Sequence, residues 1–210
     1  MSAFTNFCTN KVVDALNRGQ ALAAPTTFYY AFIVANKGMW AAGTVYSIGD
    51  YVVIGSPTNN RLYQCTTAGT SGGTAPIWPT IEGGTVLDGS TLVWTEQTLA
   101  LNSGTIPEAT YSGYARVAVT AGLAEFAGTQ GAGTTTVSTG SSGQTSNNAV
   151  ISFGAPTSSQ VGLVVGVARY DALTAGNAWD FEISTTPVPI VNGSTAPTIA
   201  PGSWTLTLVP

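Results

Sequence analysis

Histidine is absent from this 210-residue sequence, and charge is scarce: six Lys and Arg with ten Asp and Glu leave 8% of residues charged and a net charge of -4. Without imidazole, the usual base for Ser and Cys nucleophiles and the commonest zinc ligand are both missing. Lys11, Arg18, Lys37, Arg61, Arg116 and Arg169 are scattered singly. No basic stripe therefore exists for a phosphate backbone or an anionic membrane, and neither nucleic acid nor membrane insertion is expected. Cys8 and Cys65 are too few and too far apart for a disulfide framework or a metal cluster, and both read as buried small hydrophobes. No Asp-x-Asp-x-Asp spacing suggests calcium, so no metal and no cofactor are expected. The segment MSAFTNFCTNKVVDALNRG has no charged n-region, continuous apolar h-region or small-residue cleavage site, and no run of about 18 apolar residues occurs. Synthesis in the cytoplasm without a signal peptide is the expectation.

What is present is apolar and turn-rich: 44% of residues are hydrophobic, and 25 Gly stand among many Ser and Thr. Phe4, Phe7, Cys8, Val12, Ala15 and Leu16 recur at three- and four-residue intervals, which predicts one short amphipathic helix over residues 4–18. Ser2 or Thr5 is the candidate N-cap and Gly19 the C-cap. The period then changes. Thr26 to Ala35 is β-branched and aromatic and reads as a central buried strand. Gly113–Val119, Asn148–Phe153, Val161–Tyr170, Trp179–Ser184 and Trp204–Leu208 are further short apolar or alternating runs separated by turn clusters. Short strands with no second helix predict a mainly β fold, an antiparallel, jelly-roll-like β-sandwich with a short N-terminal helix. Gly128 to Asn148, almost entirely Gly, Thr, Ser, Ala, Gln and Asn, has nothing to bury and reads as a flexible loop or an arm ordered by a neighbour.

Residues 38–103 differ in character and hold three of the five Trp with turns of their own. They read as a small β-module inserted into a sandwich formed by residues 1–37 and 104–210. The insert's aromatics and turns mark it as a separable unit.

Two resemblances follow from these runs. Thr26–Ala35, Tyr111–Val119, Ser146–Phe153, Val161–Ala172 and Ile199–Leu208 keep the order found in a family of small phage virion proteins labelled tail fibre or capsid decoration proteins. The insert resembles chitin- and cellulose-binding modules: Trp40, Tyr46, Gly49-Asp50, Tyr63-Gln64-Cys65 and Trp78 follow their pattern, with Asp88-Gly89 and Trp94 closing it. It departs over Thr66–Gly72, where carbohydrate-binding members usually carry a further polar or aromatic contact.

These likenesses imply a non-enzymatic bacteriophage structural protein on the virion surface, a capsid decoration or head-fibre subunit. A tail fibre or tail-tip adhesin, or a stand-alone carbohydrate-binding module, is the alternative. The implied partners are a major capsid protein or tail protein and, through the insert, host cell-surface glycans. Sugar rings stack their C–H faces on flat aromatics while hydroxyls seek amides and carboxylates, which selects Trp78, Trp40, Tyr46 and Tyr63 with Asp50 and Asn60. A module this small also needs aromatics for its core, and Trp78, in a Pro-Ile-Trp-Pro loop, is the one expected outside. A two-carboxylate glycosidase would draw on Asp50, Glu82, Asp88 and Glu96, but Asp50 and Asp88 sit beside Gly in turns, where such side chains cap the backbone. Low charge and open sheet edges suggest a homotrimer. Phe4, Phe7, Val12 and Leu16 are the expected oligomer or virion contact.

Overall fold

A computed structural model describes residues 2–55 and 59–208. Its main sheet is antiparallel with the strand order β1 (Ser2–Phe4), β13 (Ala178–Val188), β12 (Leu163–Tyr170), β2 (Thr27–Ala35) and β9 (Val117–Thr120). The run predicted to be central is central: β2 pairs with β12 from Tyr29↔Tyr170 to Ala35↔Leu163 and with β9 over Thr27–Tyr30. Alternation sends Tyr30, Phe32 and Val34 to one face and Ala31, Ile33 and Ala35 to the other, and all six are buried. Burial on both faces explains why β2 is continuously apolar rather than alternating.

On the Tyr30 face lie two antiparallel ribbons, β10 (Gln144–Ser146) with β15 (Thr205–Thr207) and β11 (Ile151–Ser152) with β14 (Thr198–Ile199). They enclose a core of Tyr30, Phe32, Ile151, Phe153, Trp204 and Leu206. The architecture is the mainly β, sandwich-like fold implied by the sequence. At Gly166 β12 bulges, and a Cβ there would collide with the Glu182 carbonyl, so only glycine lets β13 approach.

The helix is shorter than its apolar spacing predicts. α1 spans Asn6–Asn17, and Phe4 belongs instead to β1, paired with Asp180. Thr5 decides this boundary. Its hydroxyl accepts from the Cys8 N–H and donates to the Ala178 carbonyl, while its backbone N–H donates to Trp179. One side chain thus caps the helix and ties it to β13. Phe7 packs edge-on against Trp179 at 5.6 Å and Cys8 is buried, whereas Val12 is half-buried and Leu16 is 78% exposed. Of the four residues chosen as a contact face, Phe4 and Phe7 therefore pack within the chain and Leu16 faces solvent.

Other expectations are corrected by side-chain chemistry. Gly128–Asn148 is folded: the Thr134 hydroxyl accepts from the Gly128 N–H, the Ser142 hydroxyl donates to the Thr129 carbonyl, and Gln144–Ser146 forms β10. Neutral polar side chains replace the missing apolar contacts by closing the loop's own backbone groups. A second short helix, α2 (Thr98–Asn102), also occurs, and it buries Leu101. In Gly113–Val119 only the last residues join the sheet. Arg116 is diverted to fork onto Glu108 at 2.9–3.2 Å, lie over Tyr170 at 3.5 Å and donate to the Ala172 and Ala175 carbonyls.

Inside the Tyr30-face core, Arg169 meets Asp180 across β12 and β13 through Nε, at 2.9 Å and 3.0 Å from the two carboxylate oxygens, and through its terminal nitrogen. The guanidinium lies 4.1 Å from the Trp204 ring centre and 4.2 Å from that of Phe28. Burial pushes the Asp180 carboxyl above its ordinary range, with Arg169 opposing.

Burial also raises the Tyr30 and Tyr114 phenols, Glu108 adding to the effect at Tyr114, and lifts the Cys8 thiol to about 11. Folded values above unfolded ones mean that these groups contribute stability fully at pH below the unfolded values of about 9 for a thiol and about 10 for a phenol, and lose it as pH rises toward the folded values. The urea midpoint is expected to fall progressively above pH 9, each group adding a slope of about 1.4 kcal/mol per pH unit within its own window. Tyr114→Phe should flatten the limb above pH 10, and an unchanged limb would refute the assignment.

Candidate functional site

The insert builds its aromatic cluster from short strands: a ribbon of β3 (Val45–Tyr46) with β6 (Gly69–Thr70), and a sheet ordered β4 (Tyr51–Val52), β5 (Tyr63–Thr67), β8 (Leu92–Glu96) and β7 (Thr85–Asp88). Gly69 sits where a Cβ would strike the Leu92 backbone, so ribbon and sheet meet closely. Tyr46, Tyr63, Cys65, Leu92 and Trp94 are buried between them, and Trp40 and Trp78 pack against that core half-buried.

Each carboxylate weighed for catalysis has a partner. Asp88, 2% exposed, accepts from the indole N–H of Trp40 at 2.7 Å, from that of Trp94 at 2.9 Å and from the Gly72 N–H at 2.7 Å. It is the polar pin of the aromatic cluster, fixing two rings and a turn at once. Asp50 accepts from the Asn36 amide at 3.1 Å and the Ser47 N–H at 2.8 Å, with Lys37 at 3.6 Å. Glu96 is buried against Arg61 at 2.8 Å and accepts from the Gly83 and Thr98 N–H groups. Glu82 lies at the surface near the Asn102 amide. No group of three potential metal ligands occurs among the described residues.

Of the residues selected for sugar contact, Tyr46 and Tyr63 have their rings in the core, at 2% and 0% exposure. Their hydroxyls are bound locally, Tyr46 accepting from the Ala41 N–H at 2.9 Å and Tyr63 donating to the Pro79 carbonyl at 2.9 Å. Asp50 is buried, and Asn60 lines a crevice against Ile183 and Pro187 on the sandwich side. Trp40 and Trp78 remain at the surface, edge to face with ring centres 6.4 Å apart, beside Ile77 at 94% exposure. Trp78 is backed by Tyr63 at 4.5 Å and Trp94 at 5.9 Å, which holds its ring in place. The structure brings these two indoles together and directs the other candidates to structural work.

Sequence reasoning missed Asp88 as the acceptor for two indoles and missed the Arg169–Asp180 pair. The second carried a partial signal: Arg169 is the lone charge of the apolar run Val161–Tyr170, and Asp180 is one of two carboxylates, with Glu182, in Trp179–Ser184. No helix among the described residues is long and apolar enough to cross a membrane.

No curated protein gives a significant match to the chain. The family model described as podophage GP4 fiber I protein gp80 matches residues 92–207, which begins at β8 of the insert, runs through the C-terminal part of the sandwich and covers more than half of the sequence. The chain therefore belongs to this podophage fibre protein family.

Proposed function

We propose that the chain is a non-enzymatic surface subunit of a phage virion, a decoration or head-fibre-like homotrimer. Its sandwich is held by the major capsid protein and its insert projects outward. The observation that carries this reading beyond the family is the insert's division of labour: Asp50, Asp88 and Glu96 are committed to holding turns and rings, while Trp40 and Trp78 form a backed aromatic pair at the surface. Such a pair suits stacking of a host-surface polysaccharide and offers no acid–base chemistry.

One stacking contact contributes on the order of 1 kcal/mol, so a single site binds at about millimolar strength and repetition over a particle supplies the avidity. Retention of multimerised protein on immobilised host polysaccharide is expected to fall to background in Trp78→Ala. A melting curve run beside it separates lost contact from lost packing. Equal retention by the variant, or none by the wild type, would refute glycan contact. The fibre description of the family supports a second reading, a tail fibre or tail-tip adhesin. Reconstruction of the particle decides between them: copies repeated over the shell favour decoration, and a few copies at the tail favour the adhesin.

A further inference from the structure

A cleft of about 520 Å³ lies between the main sheet, chiefly β12 and β13, and the stretch Thr198–Trp204 of the ribbon layer. Phe32, Val164, Val167 and Trp204 line it together with hydroxyl-bearing residues such as Ser203 and the exposed Thr198, and Glu182, bonded to the Thr205 backbone, supplies its one charge. The edge of β14 turned away from β11 has no strand partner among the described residues.

At the opposite end of the same sheet the chain projects an apolar knob. Leu16 is 78% exposed, Val13 46% and Leu22 38%, and every residue from Asn17 to Ala24 is exposed. The loop carries one charge, Arg18, whose side chain is 71% exposed and paired with Asp14 on its own helix. A surface i,i+4 pair of this kind is worth little and gives way readily. The loop leads into Thr27, the first residue of β2, whereas the cleft lies toward the Ala35 end, where Leu163 pairs. The cleft begins at Phe32, five residues or about 17 Å along β2 from Thr27, and opens away from the loop, so the knob and the cleft of one copy face opposite ends of the sheet.

We propose that the Leu16–Leu22 knob of one copy seats in the cleft of a second copy, with Arg18 set against Glu182. The two leucines of the knob meet the Phe32, Val164 and Trp204 side chains, its amides meet the cleft's hydroxyls, and the single cation of the loop meets the single anion of the cleft. Complementary patches on different parts of the molecule make a heterologous contact, which joins copies head to tail into a ring or a row. This deepens the fibre-type reading, on which it rests for the expectation that copies assemble. Because it is read out on purified protein, its failure leaves the virion position and glycan retention to be judged separately.

The test is directed cross-linking of the full chain, with Leu16→Cys on one preparation and Thr198→Cys on another. Cys8 and Cys65 are buried and do not compete. Oxidation of the mixture is expected to give a cross-linked pair, each variant alone none, and the double variant products of three copies and more. Leu16→Asp is expected to weaken association at least tenfold in sedimentation velocity with an unchanged melting curve, and Arg18→Glu about tenfold, at low salt. A wild-type protein monomeric at every concentration, self-cross-linking of either single variant, double-variant products that stop at the dimer, or Leu16→Asp assembling as wild type would each overturn the proposal.

Discussion

Removing Arg169 alone is expected to cost about 3–5 kcal/mol in denaturant unfolding, because it leaves Asp180 at 0% exposure without its counter-charge. Stabilities of single domains run at about 5–15 kcal/mol, so Arg169→Met should remove a large share of the total. Asp180→Leu should cost a similar amount by stranding the guanidinium among Trp204, Phe28 and Phe126. The two losses should not add. With both changes together the buried charges are gone, apolar side chains fill the space, and most of the stability is expected to return. A double variant as unstable as the sum of the singles would mean that the pair is a true net stabiliser rather than a device that pins β12 to β13 in one register.

The main sheet was legible because its strands advertise themselves. Thr27–Ala35 is rich in β-branched and aromatic residues and Leu163–Tyr170 is apolar but for Arg169, a near-continuous run that burial on both faces requires. Ser2–Phe4, Gln144–Ser146 and Thr198–Ile199 were not legible. Each is two or three residues long and forms only because a partner strand is already in place, Glu182–Asp180, Thr205–Thr207 and Ile151–Ser152 respectively. Local periodicity carries no trace of such pairings. The helix boundary failed for a related reason: Phe4 fits the helical spacing, but the bonds that Thr5 makes to Ala178 and Trp179 are long-range and override it.

In the insert the aromatic residues were found and their division was only half anticipated. Trp78 at the surface follows from its two flanking prolines. Tyr46 and Tyr63 inside follow from strand positions shared with Val52 and Cys65, since alternate residues of a short sheet must supply its core. The role of Asp88 depends on three donors from Gly72, Trp40 and Trp94, which no local pattern brings together.

Replacing residues 39–101 by a short Gly-Ser link is expected to abolish the cooperative unfolding transition of the remaining chain. The insert has its own aromatic core, yet Val53, Leu62 and Leu101 pack in one cluster with Ala31, Ile33, Ala35, Phe181 and Ile183 of the main sheet. The Val53 N–H also donates to the Gly38 carbonyl, and the Lys37 N–H to that of Tyr51, so the junction is bonded as well as packed. Burial of each of those three side chains contributes about 1.5–3 kcal/mol, a sum that approaches the whole stability of a typical domain. Without them Ile33 and Ile183, at 0% and 4% exposure, would face water on that side of the sheet. Leu62→Ala in the full chain provides the graded control: it should cost about 2–5 kcal/mol while leaving one cooperative transition. Calorimetry of the two proteins separates the outcomes. A truncated chain that melts near the wild-type temperature would show that the change of sheet at residues 38 and 103 is a change of core too, and that the insert merely sits on the sandwich.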